Sequence, residues 1–247
     1  MTFGLRVYGF GVIALGMVCL AYGDFDFGQP VPKSFPDRTA FAYVAASLMV
    51  VAGIAVEWRR TATWGAGILT AYYAVIVVIV MNGRVVLGHH AEFGAYSGAA
   101  EQLAIAAGGL IAYAGSANID AHLAERLMRI GRFVFGVCAL LFGGAHFVYM
   151  NLTAPLVPQW LPPTQEFWGY ATGLAHIAAG LAILTGVKDR LAAILLTAMY
   201  ASFAVLVHAP LLLAHPASHM IWAENAMNLA LTGVAGVVAD SLTRHRH

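Results

Sequence analysis

The chain reads as long apolar runs broken by short polar interruptions, without the two-residue alternation of a membrane strand. Eight runs approach the roughly 20 apolar residues that a helix needs to cross about 30 Å of hydrocarbon. They are approximately Val7 to Gly23, Ala40 to Val56, Trp64 to Met81, Ser97 to Gly115, Phe133 to Met150, Phe167 to Gly186, Leu191 to Leu212 and Met220 to Ala239. Where water is absent, a helix satisfies its backbone hydrogen bonds within itself. The pattern therefore predicts an all-α polytopic membrane protein of eight transmembrane helices. The first run could imitate a signal peptide, but it has a counterpart in mid-chain and is read as the first helix. Tight turns join the second helix to the third and the sixth to the seventh, which makes those pairs antiparallel neighbours.

Sliding the sequence on itself gives agreement at an offset near 126. Phe10-Gly11-Val12 with Ala14-Leu15 matches Phe135-Gly136-Val137 with Ala139-Leu140, and Val31-Pro32 to Phe35-Pro36 matches Val157-Pro158 to Leu161-Pro162. Phe41 falls on Phe167, His89 on His215, and Ala100-Glu101 on Ala223-Glu224 after a short gap. The prediction is two four-helix repeats, and an even number of spans per repeat makes them parallel rather than inverted. The expected divisions are a first repeat at 1–115, a cytoplasmic linker at 116–131, a second repeat at 132–240 and a cytoplasmic tail at 241–247. In the linker, Asp120 opens an amphipathic stretch through Leu123, Leu127 and Ile130, which suggests a helix on the membrane surface.

Composition agrees with a lipid environment: 60% of residues are hydrophobic and 10% charged, against about 25% charge in a soluble domain. A net charge of +1 with scattered arginines argues against nucleic-acid binding. Cys19 and Cys138, far apart inside apolar runs, read as small core residues. Arg6, Arg59, Arg60, Arg126, Arg129, Arg132, Lys188, Arg190, Arg244 and Arg246 fall in one set of loops, and only Lys33, Arg38 and Arg84 in the other. Positive charge marks the cytoplasmic side, so both termini are expected inside, in an inner (plasma) membrane. Outer loops then carry the prolines and His89, His90, His215 and His219. Tyr72, Tyr73, Trp160, Trp168 and Trp222 read as interfacial anchors, and Arg190 as an anchor to lipid headgroups.

Ionisable groups inside a span normally face a bundle interior or a cavity. His146, His176, His208 and Glu224 lie on four different helices of the second repeat, and a rise of about 1.5 Å per residue puts them all in its outer half. His176 shares a stripe with Gly169, Thr172, Gly173, Ala179 and Gly180. Glu224 shares a face with Asn228 and Thr232, and His208 one with Thr197, Ala201 and Ala204. His146, His176, His208, Glu224 and Asn228 are thus candidate cofactor-binding residues, with the three histidines as candidate metal ligands. Neutral imidazole ligates transition metals or haem and hydrogen-bonds quinones, while a carboxylate orients an imidazole or accepts a proton. The alternative is a set of ordinary interhelical hydrogen bonds. At the places of His176 and His208 the first repeat has Val50 and Asn82, and near that of His146 only Ala21 and Tyr22; Glu101 alone persists.

The succession Arg132, Gly136, Phe142-Gly143-Gly144-Ala145-His146-Phe147, Val157-Pro158-Gln159-Trp160-Leu161-Pro162, Trp168, Thr172-Gly173-Leu174-Ala175-His176-Ile177-Ala178-Ala179-Gly180, Arg190-Leu191-Ala192-Ala193, His208 and Glu224 resembles the DoxX-like family of four-helix membrane proteins. The resemblance covers the second half; the first half looks like a diverged copy. It implies four packed helices and, for one branch, a membrane subunit of a thiosulfate:quinone oxidoreductase, with His146 and Glu224 as the carried-over residues. Family members often have an acid where this chain has His176. The leading expectation is an inner-membrane subunit of a quinone-dependent oxidoreductase. The alternatives are a noncatalytic membrane partner or assembly factor for a periplasmic protein, and a transporter of small solutes or metals.

Overall fold

Thr2 starts the first helix, its hydroxyl accepting the Leu5 N–H at 3.4 Å, and Gly23 ends it in the left-handed conformation at φ 64°. The same local chemistry recurs along the chain. Asp120, Thr164 and Ser218 each cap the helix that follows by accepting a backbone N–H, and Gly186 closes another at φ 75°. The computed structural model describes residues 2–243; Arg244 and Arg246 of the expected tail lie outside the described residues. Of the described residues 81% are helical, and no strand occurs among them.

The long helices are α1 (Phe3–Tyr22), α2 (Arg38–Glu57), α3 (Ala62–Gly88), α4 (Phe93–Ser116), α5 (Ala121–Val148), α6 (Gln165–Thr185), α7 (Asp189–Ala214) and α8 (His219–Ser241). Six of them, all but α4 and α8, are long and apolar enough to cross a membrane. The stretch expected to be a separate linker helix is the beginning of α5, which runs 28 residues without a break. At about 1.5 Å per residue this is longer than a bilayer core is thick.

Each helix packs on its neighbours in sequence, α8 closes the ring on α1, and α4 meets α8 across its middle. The first helix of each half therefore lies against the last helix of the other half, so neither half is a self-contained bundle. Glycines set these approaches. In the α1–α8 seam, a methyl placed on Gly233 would stand 2.2 Å from Tyr8 N, and one on Gly11 would stand 2.4 Å from Ala230 Cα. Backbones this close gain dispersion contacts that larger side chains would forbid. Gly16 packs on the Ala46 carbonyl and Val50, and Gly53 on Ile13 and the Gly9 carbonyl; Gly143 packs on the Gly173 carbonyl and Ile177, and Gly180 on Leu140 and the Gly136 carbonyl. Every member of the second set stands 127 positions after its counterpart. The α1–α2 and α5–α6 pairs thus share one packing register.

Two helices have widened, π-type turns: Tyr72–Asn82 in α3 and Ala204–His208 in α7. In α7, Pro210 lacks an N–H and cannot sustain the regular ladder. Side-chain amides bind carbonyls in or beside both wide segments. Asn82 Nδ2 donates to Val77 O at 2.9 Å, Asn228 Nδ2 to Tyr200 O at 3.0 Å and Asn225 Nδ2 to His208 O at 3.0 Å. Tyr72 and Tyr73, expected at the membrane boundary, are instead core residues at 8% and 0% exposure. Their ring edges fill space against the neighbouring helices, and Tyr73 Oη donates to Met49 Sδ at 3.0 Å.

Candidate functional site: a cavity between the two halves

A cavity of about 320 Å³ lies beside the ends of α5, α7 and α8 nearest the proline-rich loops, and His146, His176, His208, Glu224 and Asn228 all line it. The sequence places these five on four helices, and the fold brings them to one space. Residues from the first half complete the wall: Phe27 of the first proline-rich loop, and Ser97 and Glu101 of α4. The site is therefore shared between halves, not confined to the second. Glu101 reaches it because α4 crosses the ring to pack on α8.

Thr172 on α6 organises the two central imidazoles. Its backbone carbonyl accepts from His176 Nδ1 at 2.8 Å, while its hydroxyl, which donates to Trp168 O at 2.7 Å, stands 3.2 Å from His146 Nδ1. His146 Nδ1 also lies 3.2 Å from Gly169 O. Only an Nδ1–H satisfies the carbonyl acceptors, so the neutral form of both rings is the same tautomer, with a lone pair on each Nε2. The ring centroids are 5.0 Å apart, and Tyr200 packs 5.5 Å from His176 on its other side. His176 is buried at 2% exposure. Against its glycine and alanine neighbours on α6, it is the polar group of that stripe directed inward.

Several polar atoms here are left without protein partners. Tyr200 Oη and His208 Nδ1 are buried and unbonded, and neither Glu101 nor Glu224 hydrogen-bonds to any described residue. Buried polar atoms are normally satisfied, by solvent or ligand when not by protein. Asn228 lines the cavity, but its amide is committed to Tyr200 O, so it holds the wide turn of α7 in place. Thr197 and Thr232, expected on the same polar faces, return their hydroxyls to their own helices at Ala193 O and Asn228 O. Among the described residues, no three His, Cys, Asp or Glu side chains stand close enough to hold one metal ion. The three candidate histidines share a cavity without forming a ligand cage.

A second groove of about 310 Å³, walled mainly by proline, leucine, valine and tryptophan side chains together with Gln159, adjoins the cavity. Leu156, Val207 and Leu211 line both, and Pro155, Trp160 and Pro210 extend the groove to the surface. Cavity and groove together offer a largely apolar space that carries the histidines and carboxyls at one end and continues past Leu156, Val207 and Leu211 to the surface.

The packing register also corrects the comparison of the halves. The counterpart of His146 is Cys19, not Ala21 or Tyr22, and that of His176 is Met49, not Val50. Tyr73 on Met49 thus occupies the place of Tyr200 on His176. Around this pair the first half holds a polar cluster that hydropathy did not reveal: Asp26, Gln29, Gln102 and Asn82 are all buried. Asp26 and Gln29 come from the proline-rich loop, which folds inward beneath the ion pair of Arg38 with Asp24.

Burial pushes the Asp26 carboxyl from 3.8 up to about 6, against the opposing pull of the Gly28 and Gln29 N–H groups. Because the folded-state value is the higher one, the native fold is favoured below pH 4 and loses that advantage as pH rises through about 6. Asp26→Asn is expected to flatten this part of the stability–pH curve and to stabilise the protein at pH 7 by about 3 kcal/mol. Thermal melts at several pH values check this; parallel curves for wild type and variant would refute it.

A family model described as a domain of unknown function (DUF8561) matches residues 135–239. No curated protein and no solved structure matches the chain. The matched segment runs from the middle of α5 nearly to the end of α8, so the similarity takes in His146, His176, His208, Glu224 and Asn228 and leaves out Phe27, Ser97 and Glu101.

Proposed function

We propose that this protein binds the head group of a membrane quinone and serves as the membrane subunit of a quinone-linked oxidoreductase. In this reading α4 and α8 span the bilayer with the other six helices, both termini are cytoplasmic, and the site opens in the outer half of an inner membrane. Charge on α4 and α8 is compatible with spanning because these two helices meet at the centre of the ring, where protein rather than lipid surrounds their polar residues. The chain is then a parallel duplication of a DoxX-like four-helix unit, supported by the shared packing register of the α1–α2 and α5–α6 pairs.

The observation that carries the reading is the continuity of a histidine- and carboxyl-bearing cavity with a groove walled mainly by aliphatic side chains, through Leu156, Val207 and Leu211. A small polar solute needs no such slot, whereas an isoprenoid quinone has an oxygen-bearing ring and a long apolar tail. The lone pairs of His146 and His176 Nε2 match the hydroxyls of a quinol, and Tyr200 Oη can donate to a quinone carbonyl. Reducing a quinone to a quinol takes up two electrons and two protons. Glu101 and Glu224 are placed to supply protons, and the electrons come from a donor protein docking at the proline-rich loops.

Titration of the purified protein with a short-tailed ubiquinone tests this. Trp160 lines the groove, so binding should quench its fluorescence saturably, and Trp160→Phe should remove most of that signal. Quenching that rises without saturation and is unaltered by Trp160→Phe would overturn the proposal.

A further inference from the structure

The buried cluster of the first half has more polar atoms than partners. Gln102 on α4 is fully buried, and both its amide oxygen and its nitrogen are unbonded. Gln29 Oε1 and Tyr72 Oη are likewise unpartnered, although Gln29 Nε2 is spent on Met49 Sδ at 3.3 Å. A methyl placed on Gly28 would lie 2.1 Å from Gln102 Nε2 and 2.9 Å from Asp26 Oδ1. Those two polar atoms are therefore at most about 5 Å apart, yet they form no hydrogen bond, a separation that one water molecule bridges. Orphaned buried groups are each destabilising unless solvated, and here several face one another. Glycine at position 28 lets the Gln102 amide lie directly against the loop backbone, beside Asp26.

We propose that this cluster holds ordered water and forms a proton relay from Asp26 in the loop to Glu101 at the cavity wall. Three features support the path. Gln102 and Glu101 are consecutive residues of α4, one turned to the cluster and the other to the cavity. Phe27, next to Asp26, lines the same cavity. Asp26 and Glu101 are close enough to feel each other's charge, and Glu101 also feels Glu224. The other titratable groups facing Asp26 are Cys19 of α1, whose Sγ lies 3.9 Å from Asp26 Oδ2, and Tyr72 and Tyr73 of α3; α2 contributes the uncharged Met49. A proton leaving Asp26 passes through water held by Gln102 and arrives on the Glu101 carboxylate, so charge is conserved and no oxidant is needed. The use made of that proton rests on the quinone reading; the path itself does not.

The test uses ligand-free protein in lipid nanodiscs. Infrared spectra at a pH where both acids are protonated give carboxylic carbonyl bands, with that of Glu101 assigned by its loss in Glu101→Gln. After transfer to heavy water, Asp26→Asn and the near-isosteric Gln102→Met should slow exchange of the Glu101 band at least about tenfold, the effect of one lost hydrogen-bonded step. Slowing in either variant that keeps the wild-type melting temperature at this same low pH, where Asp26 is protonated and its exchange for Asn is expected to be neutral, supports the relay. Wild-type exchange rates in both would overturn it, since Glu101 would then take its protons directly from the cavity. Quinone quenching, measured separately, can fail while this exchange result stands, and the reverse also holds.

Discussion

Gly233→Val is expected to prevent assembly of the folded ring. The first side-chain carbon at this position would meet the Tyr8 backbone nitrogen at 2.2 Å, and with α1 itself as the obstacle no rotamer change relieves the clash. Helices α1 and α8 must separate, and Gly4 against Gly236 and Gly11 against Ala230 lose contact with them. Overpacking a close-packed interior typically costs about 1–3 kcal/mol, more where backbone must move. Gly98, whose added methyl would meet nothing, is the control. Gly98→Ala should leave the melting temperature near that of wild type, while Gly233→Val should yield little monodisperse protein in detergent. A well-folded Gly233→Val protein would show that the seam is looser than described.

His176→Phe is expected to spare the fold and weaken quinone binding. The imidazole packs among Phe142, His146, Tyr200 and Phe203, an aromatic setting that a phenyl ring also fills. What disappears is the Nδ1–H bond to Thr172 O and the Nε2 lone pair. Loss of one buried hydrogen bond to the ligand is worth about 1–3 kcal/mol, or roughly 5- to 150-fold in affinity. Unchanged affinity with an unchanged melting temperature would remove His176 from the binding site and leave it a packing residue. Thr172→Val makes a milder comparison, because it keeps the carbonyl that orients His176 and deletes the hydroxyl beside His146.

The two experiments probe different links in the chain from sequence to function. The first concerns whether the ring closes; the second concerns what the closed ring holds. They meet at α8, whose Gly233 face packs on α1 while its Glu224 and Asn228 line the cavity.

Much of this architecture was readable in the order of residues. Apolar runs, capping residues such as Asp120 and Thr164, and glycines ending helices are local features, with energies that depend on a few neighbouring positions. They located most of the long helices to within a few residues, although α3 runs on past the expected Met81 to Gly88 and α5 extends back through the expected linker. The candidate residues His146, His176, His208, Glu224 and Asn228 also emerged, since ionisable or amide groups stand out against apolar runs. The shared cavity wall of the first half did not emerge. Glu101 and Phe27 reach the site because α4 packs on α8 and a loop folds inward, and neither contact leaves a trace in hydropathy. For the same reason Tyr72 and Tyr73 looked like boundary anchors although they are core. The widened turns of α3 and α7 break the regular helical period, so faces drawn on that period placed Thr197 beside His208 when only His208 lines the cavity.

Local backbone and solvation preferences thus settle which segments are helices and which side chains are costly to leave in an apolar setting. Where those side chains finish depends on long-range packing: on glycines that let α1 and α8 touch, and on the crossing of α4 with α8. Such contacts join residues more than a hundred positions apart, and their energy exists only once both surfaces are formed.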